Sequence, residues 1–136
     1  EVGEPIVGGD VLDQDGYFVE PTIFDGVDND MRIAQEEIFG PVLSVIEFSD
    51  EQEAFEIAND VEYGLVAGIH TENVGRAHRF AREVDAGQVY VNEWFAGGEE
   101  TPFGGFKKSG FGREKGLDAI DSYTHTKNVC TYIGQD

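Results

Sequence analysis

Apolar residues in this chain fall into short runs punctuated by glycine, and the spacing inside the runs alternates between two periods. Val42 to Phe48 is nearly continuous and rich in β-branched side chains, the pattern of a strand covered on both faces. After it, Ala54, Ile57, Ala58 and Val61 share one face of a helix that ends before Gly64, and Ser49 followed three residues later by Gln52 fits a capping box. Leu65 to His70 reads as a second strand. Val74, Ala77, Ala81 and Val84 stripe a second helix, Gly87 terminates it, and Gln88 to Asn92 reads as a third strand. The order β-α-β-α-β predicts an α/β fold: a parallel sheet core with flanking helices joined by right-handed crossovers. In such a fold functional groups gather beyond the carboxyl ends of the strands.

The flanks of this core are less regular. Gly16 to Phe24 is β-prone, but Pro21 removes a ladder donor, so an irregular or edge strand is expected. Met31, Ala34 and Ile38 recur at helical spacing between Asp30 and Phe39, and Gly40-Pro41 stops that helix. From Glu93 to Gly112 runs a long Gly-rich loop of about 20 residues, and loops of that length inside a domain are usually functional or disordered. Trp94, Phe95, Phe103, Phe106 and Phe111 argue against disorder, because they can pack the loop on itself or on a ligand. A short amphipathic helix is expected from Leu117 to Tyr123, and Thr126 to Ile133 alternates well enough for a terminal strand. No internal repeat is evident.

Composition narrows the function. At 136 residues and 40% hydrophobic, the chain is sized for one globular domain with a modest core. It opens on Glu1 with neither a basic nor an apolar leader segment, and is expected to be cut from something longer. No apolar run approaches the roughly 20 residues needed to cross a bilayer. Nine basic against 28 acidic residues give a formal net charge of -19, a field that repels nucleic acid and anionic lipid, so no nucleic-acid or membrane partner is expected. The acids are scattered and few lysines accompany them, which favours a halophilic surface over an ordinary acidic one. Cys130 is the single cysteine, which excludes an internal disulfide and fits a reducing, cytoplasmic setting. His70, His78 and His125 lack metal-ligand spacing, so no metal site is expected.

Two glycine motifs suggest phosphate binding and do not support it. Gly105 and Gly110 have the P-loop interval but are followed by Phe-Gly instead of Lys-Ser or Lys-Thr. Gly110, Gly112 and Gly116 carry one residue too many for the dinucleotide fingerprint. Taken by themselves, Glu36 and Glu37 read as a solvated helix face, Phe39 as a core anchor and Phe103 as a clamp on its loop.

Three ordered blocks add to this reading. Gly16-Tyr17-Phe18 with Pro21-Thr22-Ile23-Phe24, then Glu36 to Val42, then Pro102 to Gly110 with Gly112-Arg113-Glu114, closely resemble the C-terminal blocks of NAD(P)-dependent aldehyde dehydrogenases. Asn59, Tyr63-Gly64-Leu65 and Val91-Asn92 fall between them at the family's spacing. The resemblance covers essentially the whole chain. It implies part of the catalytic domain over residues 1–124 and an oligomerisation tail over 125–136, whose strand would associate copies into a homo-oligomer. It implies that Glu37 binds the ribose hydroxyls of NAD or NADP beside the nicotinamide, that Phe39 packs near the same ring, and that Phe103 walls an aldehyde tunnel faced by Ala96 and Gly97. Small residues at those last two positions would leave room for a bulky aldehyde or semialdehyde.

The family's reaction uses a cysteine thiolate that attacks the aldehyde and a glutamate-activated water that releases the carboxylate. Relatives place both upstream of these blocks, so this chain is expected to hold no catalytic residue and to be silent alone, with Cys130 in a packing role. The competing reading is a non-catalytic acidic α/β interaction module whose glycine loop binds a partner. A third is a relative acting on acyl-CoA or phosphorylated semialdehydes.

Overall fold

A computed structural model describes residues 2–134. The chain divides into two compact units, Glu1–Glu62 with Arg79–Asp85, and Tyr63–His78 with Ala86–Asp136. Each holds a parallel strand pair, so the α/β expectation is borne out. The pairing within it differs from the one expected.

In the first unit, β1 (Thr22–Phe24) runs parallel to β2 (Val42–Ser44), with Thr22 opposite Val42 and Phe24 opposite Ser44. The β-branched Thr22 and Ile23 suit this pleated site. Pro21, without an N–H, stands just before the strand, where its missing donor costs no ladder bond. Thr22 is buried, its hydroxyl donating to the Glu20 carbonyl at 2.8 Å. The strand expected over 42–48 is therefore shorter and pairs with β1. Among the described residues the strands form three separate two-stranded sheets, not one continuous β-α-β-α-β sheet. Nor is β2 covered on both faces, since Leu43 is 57% exposed.

The helix expected between Asp30 and Phe39 contracts to α1 (Arg32–Gln35). Glu36 already has extended dihedrals, φ -103° and ψ 142°, and Phe39 takes a left-handed φ of 52°. Pro41 restricts only Gly40 before it, so it does not set an end five residues earlier.

Helix α2 (Glu51–Asn59) starts one residue later than the capping box over Ser49 and Gln52 would have it. Asp50 is the cap, its carboxylate accepting from the Glu53 N–H at 3.0 Å, while the Glu53 carboxylate accepts from the Ser49 N–H at 2.6 Å. An ionised side chain is the stronger acceptor for the free N–H groups of the first turn, so Asp50 displaces the neighbouring serine. The buried residue of α2 is Phe55. Its ring meets Phe80 of α3 (Val74–Glu83) at 5.9 Å between centroids, tilted by 52°. On α3 Ala77 and Phe80 are buried, as is Val84 just after the helix, whereas Val74 and Ala81 of the expected stripe are exposed. Glu51 and Arg79 pair through two hydrogen bonds, and that bonding raises the Arg79 guanidinium above its ordinary value.

In the second unit, β4 (Val66–Ile69) and β5 (Gln88–Val91) run parallel in a four-residue register from Val66 opposite Gln88 to Ile69 opposite Val91. This pair agrees with the sequence reading. The Gly-rich loop is less structureless than expected: β6 (Phe106–Lys107) pairs antiparallel with β3 (Tyr63–Gly64), and Phe103 bridges Glu114. A short helix α4 (Ala119–Tyr123) follows, as expected. The terminal strand expected over Thr126 to Ile133 does not form: those residues are exposed and in no sheet. Alternation makes a strand only where another strand offers its edge, and among the described residues none does so there. Residues 135 and 136 of the tail lie outside the described residues.

Candidate functional site

In the first unit the turn after α1 separates two adjacent carboxylates. Glu36 lies one helical turn beyond Arg32 and accepts from its Nε at 2.9 Å, an exposed i,i+4 ion pair. Glu37 is exposed and has no hydrogen-bond or ion-pair partner among the described residues. With Val2, Arg32, Ile33, Glu36 and Ile38 it lines an open concavity of about 550 Å³. Both oxygens of the Glu37 carboxylate are thus available, and one ionised carboxylate can accept from two vicinal hydroxyls at once. The residues present fit the ribose contact that the resemblance implies.

Phe39 departs further from its own residue-level reading. It is 93% exposed and no core anchor. Its positive φ is unusual for a bulky residue and costs energy, and an aromatic ring turned outward by such a turn points to a ligand or a further protein surface as its cover. Phe39 does not line the concavity of Glu37.

In the second unit Phe103 is half-buried and tied on both sides. Its N–H donates to the Glu114 carbonyl and its carbonyl accepts from the Glu114 N–H, both at 2.7 Å. The Lys115 ammonium lies 5.8 Å from its ring centre. Together with Leu65, Gly105, Ser109, Arg113 and Tyr123, among others, it lines a cavity of about 520 Å³. Ala96 and Gly97 do not line that cavity. Gly97 has a φ of 106°, and a Cβ there would stand 2.8 Å from the Thr101 hydroxyl, so a local turn already explains a glycine at this position. Ala96 is exposed. Phe103 and the Ala96-Gly97 turn are therefore two places on one loop.

The carboxyl end of the parallel pair carries a device that the sequence reading does not single out. Asn92 follows β5 at a φ of 58°, a conformation asparagine tolerates better than most residues. Its amide accepts from the Thr71 N–H at 2.7 Å and donates to the Thr71 carbonyl at 2.9 Å, clamping the exits of β4 and β5. Beyond the clamp Tyr90, Trp94 and Phe95 form an aromatic cluster with centroids 5.6 to 5.9 Å apart. The Trp94 ring lies against Gly68, where a Cβ would come within 2.8 Å of it. An asparagine directly after a β-branched run is the available signal.

Cys130 is exposed, not packed, and its sulfur accepts a 3.4 Å contact from the Asn128 amide. Among the described residues no group of three or more His, Cys, Asp or Glu side chains could hold a metal ion, and no helix is long and apolar enough to cross a membrane.

The aldehyde dehydrogenase family model matches residues 1–129, and the chain belongs to that family. It is 50% identical over 120 residues to a betaine aldehyde dehydrogenase of Brucella anthropi, covering 88% of this chain and 25% of that one. It is 46% identical over 132 residues to the 4-trimethylaminobutyraldehyde dehydrogenase of Rattus norvegicus, covering 97% and 27%. Among solved structures, an indole-3-acetaldehyde dehydrogenase in complex with NAD+ is 55% identical with a TM-score of 0.88, over 91% of this chain and 26% of that one. The chain spans about a quarter of the length of the relatives it matches.

Proposed function

We propose that this chain works as the C-terminal quarter of an NAD(P)-dependent aldehyde dehydrogenase that oxidises an aldehyde, or a semialdehyde, to a carboxylate. The observation that carries the reading is the match over residues 1–129 with enzymes about four times as long. In this reading Glu37 accepts the hydroxyls of the nicotinamide ribose and Phe39 turns its ring toward the same end of the cofactor. NAD(P), when bound, supplies the hydride acceptor. Phe103 forms one wall for the aldehyde, and the small Ala96 and Gly97, at a separate turn of the same loop, leave space along the substrate's path. Relatives with bulky trimethylammonium and indole aldehydes in their names support a roomy site. A relative solved with NAD+ supports the cofactor.

The nucleophilic cysteine and the water-activating glutamate belong to the upstream part of the parent, so the chain alone produces no NADH from aldehyde. The tail over 125–136 serves association into a homo-oligomer, a role supported by exposed Val129, Tyr132 and Ile133. A cytoplasmic setting at high salt fits the single cysteine and the net charge of -19.

Charge-assisted hydrogen bonds of the kind assigned to Glu37 contribute about 1.5–3 kcal/mol, roughly a 10- to 100-fold change in affinity. In the assembled enzyme Glu37→Ala should raise KM for the cofactor by about that factor and leave KM for the aldehyde alone. Phe103→Ala should do the reverse. An unchanged cofactor KM in E37A would remove the ribose assignment.

A further inference from the structure

Arg113 differs from Arg32, Arg79 and Arg82, each of which pairs with a carboxylate. Among the described residues its guanidinium meets carbonyls and a ring, not a carboxylate. Nη1 donates to the Gly112 carbonyl at 2.7 Å and the Gly105 carbonyl at 3.0 Å, and the group lies 5.3 Å from the centre of the Phe106 ring. Its own carbonyl accepts from the Ser122 hydroxyl at 3.3 Å, which ties the same point to α4. The two segments it joins are the two sides of the clasp that holds Phe103, since Phe103 and Glu114 exchange both of their backbone hydrogen bonds at 2.7 Å. Gly104 is what lets the arginine through. A Cβ there would run into the Gly112 carbonyl and stand 2.9 Å from both Cδ and Nη1 of Arg113.

The carbonyls of Gly105 and Gly112 lie outside any strand. A planar guanidinium satisfies two carbonyls and covers an aromatic face in one placement, which the ammonium of lysine cannot do in the same geometry. We propose that Arg113 is a positioning residue for the aldehyde site: it fixes the two sides of the Gly-rich loop to each other and thereby holds the Phe103 ring at one place on the wall of the 520 Å³ cavity. This deepens the functional reading above and rests on it. Arg113 also lines that cavity, and the role assigned to it acts through Phe103.

The test compares Arg113→Ala, Arg113→Lys and Phe106→Leu in the assembled aldehyde dehydrogenase. A residue that only stabilises the fold lowers the active fraction, so kcat falls and KM stays. A positioning residue moves the aldehyde wall, so KM for the aldehyde rises. Misplacing a binding group by about 1 Å can cost roughly 100-fold, and the expected rise for R113A is roughly 10- to 100-fold, with KM for the cofactor unchanged. R113K should recover part of it, and F106L, which keeps the apolar volume but removes the ring under the guanidinium, should show a smaller rise in the same direction. Backbone amide exchange at Phe103 and Glu114 should quicken in R113A. Unchanged aldehyde KM in the soluble variants, or exchange at those two amides equal to wild type, overturns the proposal. If R113A does not fold, R113K and F106L decide by the same two readouts. Should the wild-type enzyme itself form no NADH from any aldehyde, the functional reading fails and the exchange experiment alone still judges the role of Arg113 in the clasp.

Discussion

Replacing Gly87 by alanine adds one methyl group at the entrance to β5, and the structure sets the sign of its effect. Gly87 does not have a left-handed φ, so alanine can adopt its backbone conformation. On that ground alone the substitution would stabilise by about 0.4–1 kcal/mol, because it restricts the unfolded chain. The new Cβ, however, would run into the Gly104 carbonyl oxygen and stand 2.8 Å from its carbon and 3.2 Å from the Gly105 Cα. These are backbone atoms and cannot rotate aside. The loop is itself closely packed: a Cβ at Gly104 would meet the Gly112 carbonyl and Arg113, and one at Gly105 would meet Ser109.

Overpacking of a fixed neighbour costs about 1–3 kcal/mol. If the loop parts, the Gln88 amide also loses the Pro102 carbonyl it reaches at 2.8 Å, adding about 1 kcal/mol. The cost exceeds the gain, and a net destabilisation of about 1–3 kcal/mol should lower Tm by roughly 3–15 °C. Gly112 is the control: a Cβ there would meet no atom within 4 Å, and its φ is not left-handed, so Gly112→Ala should be neutral or slightly stabilising. Scanning calorimetry on the two variants checks both. A Tm for G87A at or above wild type would refute the claim that the Gly-rich loop sits directly on the start of β5.

Two further outcomes follow from the first unit and from the charge. Asn59 donates to the Glu83 carbonyl and accepts from the Asp85 N–H, both at 2.8 Å, so it closes the carboxyl end of α3; Asn59→Ala should destabilise by about 1–2 kcal/mol, read as a shift of the denaturant midpoint with unchanged slope. With a net charge of -19, stability should climb as KCl rises toward molar concentrations, where the screening length shrinks from about 10 Å to about 3 Å; a thermal midpoint indifferent to KCl would count against a halophilic surface.

Much of the scaffold is legible in the residues, and the differences have physical causes. The β4 and β5 runs each begin shortly after a glycine, Gly64 or Gly87, and are largely apolar, so their existence follows from pattern. The stripe on α3 runs through Phe80 and not through Ala81, because a buried aromatic contributes far more area than an alanine at the neighbouring helical position. Ser49 and Asp50 are both good caps for α2, and only geometry separates them. The strand over 126–133 fails because alternation says nothing about whether an edge is available. At the candidate site, the difference between Glu36 and Glu37 is invisible to composition. It depends on Arg32 standing one turn before Glu36 and not before Glu37. Arg113 escapes sequence reading because a lone arginine in a glycine loop gives no period to follow.

The proposed role of Glu37 as ribose acceptor can be read directly. The most direct measurement is the structure of the assembled enzyme with NAD+ bound, reading the distance from the Glu37 carboxylate oxygens to the hydroxyls of the nicotinamide ribose. Both hydroxyls should lie within about 2.5–3.0 Å of that carboxylate. A cofactor whose ribose is held by another residue, with Glu37 left facing solvent, would contradict it.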